Sequence, residues 1–305
     1  MKIVVAGATG FVGKALTEKL SGSGHEVFVL TRSVQEVVRE TGGKTLVPWD
    51  GKTSGDWAAY LDGADAVINL AGENIAAQRW TAARKQEIVS SRVDATRVIV
   101  KAIGQARKKP AILINASAVG YYGNVPDLEL TEASGRGEGF LAETCEQWES
   151  EARKAEPLGV RVILARLGPV LGEKGGMLSK MIPPFRFFMG VLPGTGRQWI
   201  PWVHRDDVIN IFLFMLEHPE LSGPVHVTGP IPMTMSEFCS ALAKVLDRPC
   251  GFPVPGFLLR MFLGDRAAIV LASQRALPQK LLQAGYEFRY FLLRPALESI
   301  LKKRA

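Results

Sequence analysis

Two short runs in this 305-residue chain combine residue types and spacings that could do chemistry. The first is Gly7-Ala8-Thr9-Gly10-Phe11-Val12-Gly13, set between an apolar β-branched run and an amphipathic stretch. Glycines at this spacing allow a tight turn, a close backbone approach to a pyrophosphate, and close packing of helix on strand. The start of the helix then offers unpaired N–H groups and the positive end of its dipole to phosphate. A glycine pattern alone says little. Flanked by strand and helix, and closed by a second strand, it points to dinucleotide binding through Gly7, Thr9, Gly10, Phe11, Val12 and Gly13. The second run, Leu30-Thr31-Arg32-Ser33, ends that second strand. An NAD site usually has an acid here, roughly 20 residues past the glycines, to accept from the ribose 2′-hydroxyl. This chain has none before Glu36. Arg32 instead offers a planar fork of donors matched to a 2′-phosphate. NADP(H) is therefore the expected cofactor; the plain alternative for Arg32 is a solvated surface arginine.

Such a loop works only if a sheet and its crossover helices hold it. The first half alternates β-branched runs with amphipathic stretches, as in βαβ units of a parallel sheet. The pattern predicts strands at Ile3–Ala6, Val27–Leu30, Thr45–Val47, Ala66–Leu70, Ile112–Ala116 and Val160–Ala165. Helices are predicted at Val12–Ser21, Thr81–Arg107 and Gly139–Glu156, with Thr81 as a cap and Pro157 as a stop. After Gly168 the texture changes, with Gly, Pro, Met and aromatic residues frequent in 172–176 and 181–196. Later helices are predicted to start at His204–Asp207 and at Thr234, whose Thr-x-x-Glu spacing to Glu237 makes a capping box. The expected fold is α/β: a Rossmann-type doubly wound parallel sheet over 1–168, with a smaller C-terminal substrate-type lobe over 169–305. Residues 200–230 are expected to return to the Rossmann domain.

The glycine loop, Asn69-Leu70-Ala71-Gly72, Arg166-Leu167-Gly168-Pro169-Val170-Leu171-Gly172 and Trp202-Val203-His204-Arg205-Asp206-Asp207-Val208 together resemble the extended short-chain dehydrogenase/reductases. Asn69-Leu70-Ala71-Gly72-Glu73-Asn74-Ile75, Ser117-Ala118-Val119-Gly120-Tyr121-Tyr122-Gly123 and the C-terminal segment narrow the resemblance to their atypical "epimerase family" group. The similarity runs over essentially the whole chain. It implies NADP(H) lying across the carboxyl ends of the strands. It further implies cofactor contacts by Thr31, Arg32, Leu70, Ala71, Gly72, Glu87, Arg92 and Pro169. Leu70 and Ala71 also stand independently at a strand end, where such ligands bind. Glu87 and Arg92 read equally well as helix-surface charges.

The chemistry departs from the pattern. Short-chain dehydrogenases pair a tyrosine with a lysine four residues on, which lowers the tyrosine pKa for proton transfer. Four residues beyond Tyr60, Tyr121, Tyr122, Tyr286 and Tyr290 stand Ala64, Val125, Pro126, Tyr290 and Arg294. Phe140 and Thr144 occupy the tyrosine and lysine places; phenylalanine has no proton to give and threonine carries no charge. Three candidate catalytic residues remain. Ser117 could contact a substrate oxygen, or it could be a turn serine bonding nearby backbone. Tyr121 and Tyr122 could supply a phenol, or they could be an aromatic pair packing the loop.

Composition excludes several other classes. At 47% hydrophobic and 22% charged residues the chain reads as an ordinary globular protein. Its apolar runs are too short to span a membrane, and the start reads as a first strand rather than a leader, so a cytoplasmic protein is expected. Three cysteines without a C-x-x-C pair suggest neither disulfides nor zinc. Four scattered histidines argue against a metal site, and His204 reads as a helix start. The net charge of +7 is spread along the chain without a nucleic-acid motif, so it fits a general basic surface or a polyanionic cofactor. The apolar stretch 177–189, with Trp199, Trp202 and Arg197 nearby, is expected to pack the lobe or wall a substrate cleft. The leading functional expectation is an NADP(H)-dependent oxidoreductase acting on a small carbonyl or alcohol. The alternative is a non-catalytic NADP(H)-binding protein that regulates a protein contact. Nucleotide-sugar epimerisation is disfavoured by the missing tyrosine.

Overall fold

β-Branched residues alternate through the central strands, and the alternation places them on two different helical layers. A computed structural model describes residues 1–32, 39–173 and 175–301. Its main sheet has eight strands: β1 Lys2–Ala6, β2 Glu26–Thr31, β3 Arg39–Thr41, β4 Lys44–Pro48, β5 Ala66–Asn69, β6 Ile112–Ala118, β7 Arg161–Leu167 and β8 Gly223–Val227. The order is β8-β7-β6-β5-β1-β2-β4-β3, parallel except for the β3–β4 edge. The fold is Rossmann-type α/β, and the strand order reverses between β1 and β5, opening a crevice at the carboxyl ends.

Ile3, Val5, Val27, Val29, Ile68, Ile114 and Ile163 pack on one side against α1 (Phe11–Gly22) and α5 (Arg205–Glu217). Val4, Phe28, Leu30, Val67, Leu113 and Val162 pack on the other, against α2 (Ala82–Gln105) and α3 (Phe140–Arg153). Period two in the strands thus produces both interfaces. Thr81 caps α2 by accepting from the Arg84 N–H. Leu70, expected to end its strand, follows it instead, although its N–H still reaches the Ala6 carbonyl at 2.9 Å.

β8 pairs in parallel with β7, so residues 223–227 belong to the main sheet. A third core, including Phe185, Trp202, Phe238, Leu242 and Leu297, lies among α4 (Leu178–Arg186), α6 (Met235–Leu246) and the C-terminal helix Leu293–Leu301. α6 begins with the expected capping box between Thr234 and Glu237. Among the described residues no helix is long and apolar enough to cross a membrane.

Candidate cofactor and substrate site

The glycine loop is shaped by the backbone it touches. Gly7 has φ +77°, and a Cβ there would come within 2.5 Å of the Leu70 carbonyl and 2.7 Å of the Ala71 nitrogen. A Cβ on Gly13 would lie 2.3 Å from the Gly7 oxygen. Only glycine fits either place, so the loop folds flat against the strand ends and the start of α1. Gly10 caps α1 without a side-chain hydrogen bond, and Thr9 and Gly10 are exposed, which leaves the helix start open to an anion. Phe11 and Val12 are half-buried. The Phe11 ring fills the space beside Gly172 and Gly175, with the Arg205 guanidinium 5.4 Å from its centroid.

Beyond Gly7 the crevice edge is built by the chain after β5. The Asn69 side chain accepts from the Ala71 N–H and donates to Thr96 and Asn115, tying this corner to the core. Arg92 folds back over Gly72, donating to the Ile88 and Glu73 carbonyls at 3.0 Å each and lying 5.2 Å from the Trp148 ring. Burial weakens its charged form. Glu87 points elsewhere: it is exposed and pairs with Arg84 at 2.8 Å. α2 therefore carries both residues but sends only Arg92 to the Gly72 edge.

Arg32 stands at the end of β2 with 73% of its side chain exposed, bound to Glu73 at 3.3 Å. Glu73 is also 3.3 Å from Arg84, so the rim carries a chain of charges from Arg32 through Glu73 and Arg84 to Glu87. Burial alone would favour the neutral Glu73 carboxyl, but the hydrogen bonds from Arg84 and Arg32 outweigh it and hold the group below the usual range. Thr31 is buried, Pro169 is half-buried with its carbonyl accepting from Val203, and Glu36 lies outside the described residues.

The candidate catalytic residues are placed differently from one another. Ser117 is 2% exposed and its hydroxyl donates to Glu149 at 2.6 Å, so it faces the interior rather than the crevice. Glu149 receives Nε and Nη2 of Arg166, both at 2.8 Å. Arg166 Nη1 reaches the Tyr122 phenol at 2.7 Å, and that oxygen also contacts the Thr131 carbonyl and His226 Nε2. His226 Nδ1 lies 2.7 Å from the Leu277 carbonyl, which requires the proton on Nδ1 and leaves Nε2 to accept from Tyr122. Burial raises the Tyr122 pKa and lowers that of His226, favouring the neutral form of each. For Arg166, burial opposes the charge, but Glu149 outweighs it and keeps the guanidinium protonated. Ser117 and Tyr122 are thus both committed to one buried network. Tyr121 is half-buried, with Arg166 stacked 3.6 Å from its ring centroid.

A cavity of about 460 Å³ opens between the starts of α2 and α3 and the segment 260–274. Gly120 and Gly123, on either side of the tyrosine pair, line it together with Trp80, Lys85, Phe140 and Asp265. Phe140 begins α3 and meets Trp80 edge-on at 5.1 Å, while Thr144 is buried and donates to the Phe140 carbonyl. The wall therefore comes from 260–274; the stretch 177–189 and Trp199 take no part in it, and Trp202 is fully buried. Phe187, Phe188 and Met189 are exposed instead, because the turn after α4 ends outside the third core. His204 serves as a cap, its Nδ1 accepting from the Asp206 N–H. A wider hollow of about 650 Å³ on the lobe, beside Lys244, Arg248 and Cys250, shares no residue with this site.

Residues 3–228 match the NAD dependent epimerase/dehydratase family, and residues 254–300 match a domain of unknown function, DUF1731. The chain belongs to the NAD dependent epimerase/dehydratase family. Epimerase family protein YfhF of Bacillus subtilis is 40% identical over all of this chain and 99% of its own length. The Arabidopsis thaliana protein named Epimerase family protein SDR39U1 homolog, chloroplastic, is 39% identical over 99% of this chain and 87% of its own. The crystal structure of human epimerase family protein SDR39U1 (isoform 2), solved with NADPH, superposes with a TM-score of 0.88 at 32% identity, covering 99% of this chain and 100% of that one.

Within this family frame, sequence reasoning missed Glu73, Glu149, Arg166 and His226 as contributors. Glu73 and Arg166 stand in the motifs Asn69–Ile75 and Arg166–Gly172, and a charge inside the apolar run of β7 is a usable sign of a buried partner. Nothing local marked Glu149 or His226.

Proposed function

We propose that this chain binds NADP(H) across the carboxyl ends of the sheet and acts as an oxidoreductase on a small carbonyl or alcohol. The observation that carries the reading is the glycine cradle closed against Leu70 and Ala71, with the exposed Arg32 at its rim. Gly7, Gly10 and Gly13 leave room for a pyrophosphate at the open start of α1, and Arg32 suits a 2′-phosphate. The human relative solved with NADPH supports the same cofactor. The bound nicotinamide supplies or takes up hydride.

The chain's residues then hold the substrate and manage one proton. The aromatic walls of Trp80 and Phe140 suit an apolar substrate, and Lys85 and Arg260 are cations on the same cavity. Phe140 gives no proton, and the Ser117 and Tyr122 hydroxyls are engaged inside the protein. Proton delivery falls to water in the cavity, or to Tyr121, which adjoins the lining residue Gly120 without itself lining the cavity. A second reading, a non-catalytic NADP(H)-binding protein governing a protein contact, is favoured by Phe140 and Thr144 standing where the family's tyrosine and lysine would be. That same gap counts against sugar epimerisation. The test is NADPH oxidation over a panel of carbonyls, with Tyr121→Phe beside the unaltered protein. Turnover that Tyr121→Phe reduces supports the oxidoreductase reading. Tight NADPH binding without turnover on any carbonyl favours the second.

A further inference from the structure

Glu73 holds a position no assigned role explains. Its backbone is pinned to α2 at both ends: the N–H donates to Ser91 Oγ at 3.0 Å, and the carbonyl accepts from Arg92 Nη2 at 3.0 Å. The side chain is thereby set between two guanidinium groups, Oε1 3.3 Å from Arg32 Nη2 and Oε2 3.3 Å from Arg84 Nη2. Arg84 is itself fixed, with 8% of its side chain exposed, by Glu87 at 2.8 Å and the Asn74 carbonyl at 2.9 Å. Arg32 is the exposed member, with 73% of its side chain open to solvent at the strand end.

We infer that Glu73 is a cofactor-specificity residue that competes with the ribose 2′-phosphate for Arg32 and so restrains the preference for NADPH over NADH. The inference rests on the NADP(H) reading above. A 2′-phosphate gripped bidentately through the Nη1–Nη2 fork takes the one nitrogen, Nη2, that Glu73 holds at 3.3 Å. When Arg32 leaves, Glu73 is not stranded: Arg84 keeps its other oxygen and neutralises it. A ribose with a free 2′-hydroxyl makes no demand on the guanidinium, so the Arg32–Glu73 pair stays in place. Competition makes NADPH binding weaker than Arg32 alone would give and leaves NADH binding unchanged.

The experiment is calorimetric titration of NADPH and of NADH into the full chain, into Glu73→Gln, and into the same pair of proteins with Arg32→Ala added. Glu73→Gln keeps the size and backbone contacts, and Arg84 retains Glu87 and Asn74, so the variant is expected to fold; its thermal unfolding is measured alongside. Glu73→Gln should widen the NADPH-to-NADH affinity ratio by about twofold to fivefold, the scale of releasing one exposed ion pair. In the Arg32→Ala background the same change should shift the ratio by less than about 1.5-fold, since a cycle isolates the shared interaction. Binding with an unchanged or narrowed ratio in Glu73→Gln overturns the inference and leaves the NADP(H) reading intact. A full-sized shift that persists without Arg32 also overturns it, because Glu73 would then act on the phosphate directly. No heat from either dinucleotide with the unaltered, folded protein overturns the cofactor reading, and this inference with it.

Discussion

Two chains of charges in this protein use the same residue types in opposite surroundings. At the crevice rim, Arg32, Glu73, Arg84 and Glu87 alternate in sign, and both ends are open to water, with Arg32 at 73% and Glu87 at 59% side-chain exposure. Inside, Glu149 and Arg166 join Ser117, Tyr122 and His226, none of them more than 3% exposed. In water an ion pair gains little and exchanges partners easily, so an arginine there can be lent to a ligand. In the interior each charge has lost its hydration and depends on the partners it has, so the network is fixed once folded. The rim is suited to recognition and the interior to holding β6, α3, β7 and β8 in register around the crevice.

The largest effect should come from breaking the interior pair. Arg166→Met leaves Glu149 buried without its cation and should lower unfolding free energy by roughly 3–5 kcal/mol in urea denaturation. A loss under about 1 kcal/mol, as for a surface pair, would erase the contrast. Tyr122→Phe removes one phenol from between Arg166 and His226 and should cost about 1–3 kcal/mol by the same measurement, because two buried polar groups lose a partner. The third prediction is a pH dependence. Burial depresses the His226 pKa below its ordinary 6.5, so the folded state keeps the ring neutral while the unfolded chain protonates it. The unfolded state then binds more protons, and stability should fall as pH drops below 6.5, by up to about 1.4 kcal/mol per pH unit while the difference lasts. In His226→Gln that part of the slope should disappear. The smallest stability effect belongs to the rim. Arg32→Ala should change unfolding free energy by less than about 0.5 kcal/mol, yet weaken NADPH binding roughly tenfold and NADH binding far less. Equal losses for both dinucleotides would break the 2′-phosphate assignment.

How much was legible in the sequence varied with how local each signal was. The glycine spacing, the strands from Ile3 to Ala165, the Thr81 cap and the Thr234–Glu237 box each depend on residues a few positions apart, and each lies where expected within a residue or two. Arg32 was readable because it directly ends a strand. The interior network was not. Ser117 and Glu149 are 32 positions apart, and Tyr122 and His226 are 104 apart. Ser117 looked like a crevice residue because it follows the apolar run Ile112–Ala116. The strand continues through Ala118, and its alternation turns Ser117 inward toward α3. The cavity wall was missed for a related reason. The apolar stretch 177–189 resembled a cleft lining, but the last wall comes from 260–274, which carries no comparable pattern.

The sequence by itself determined the sheet, the dinucleotide loop and the absence of a Tyr-x-x-x-Lys pair. These follow from backbone sterics, side-chain period and the presence or absence of a titratable atom, all of which act over short stretches of chain. Only the tertiary structure decided which hydroxyls are spent inside the protein and which charges stay exchangeable at its rim. Burial and pairing arise when distant segments meet, and the same arginine or serine has different chemistry once water has been removed from around it.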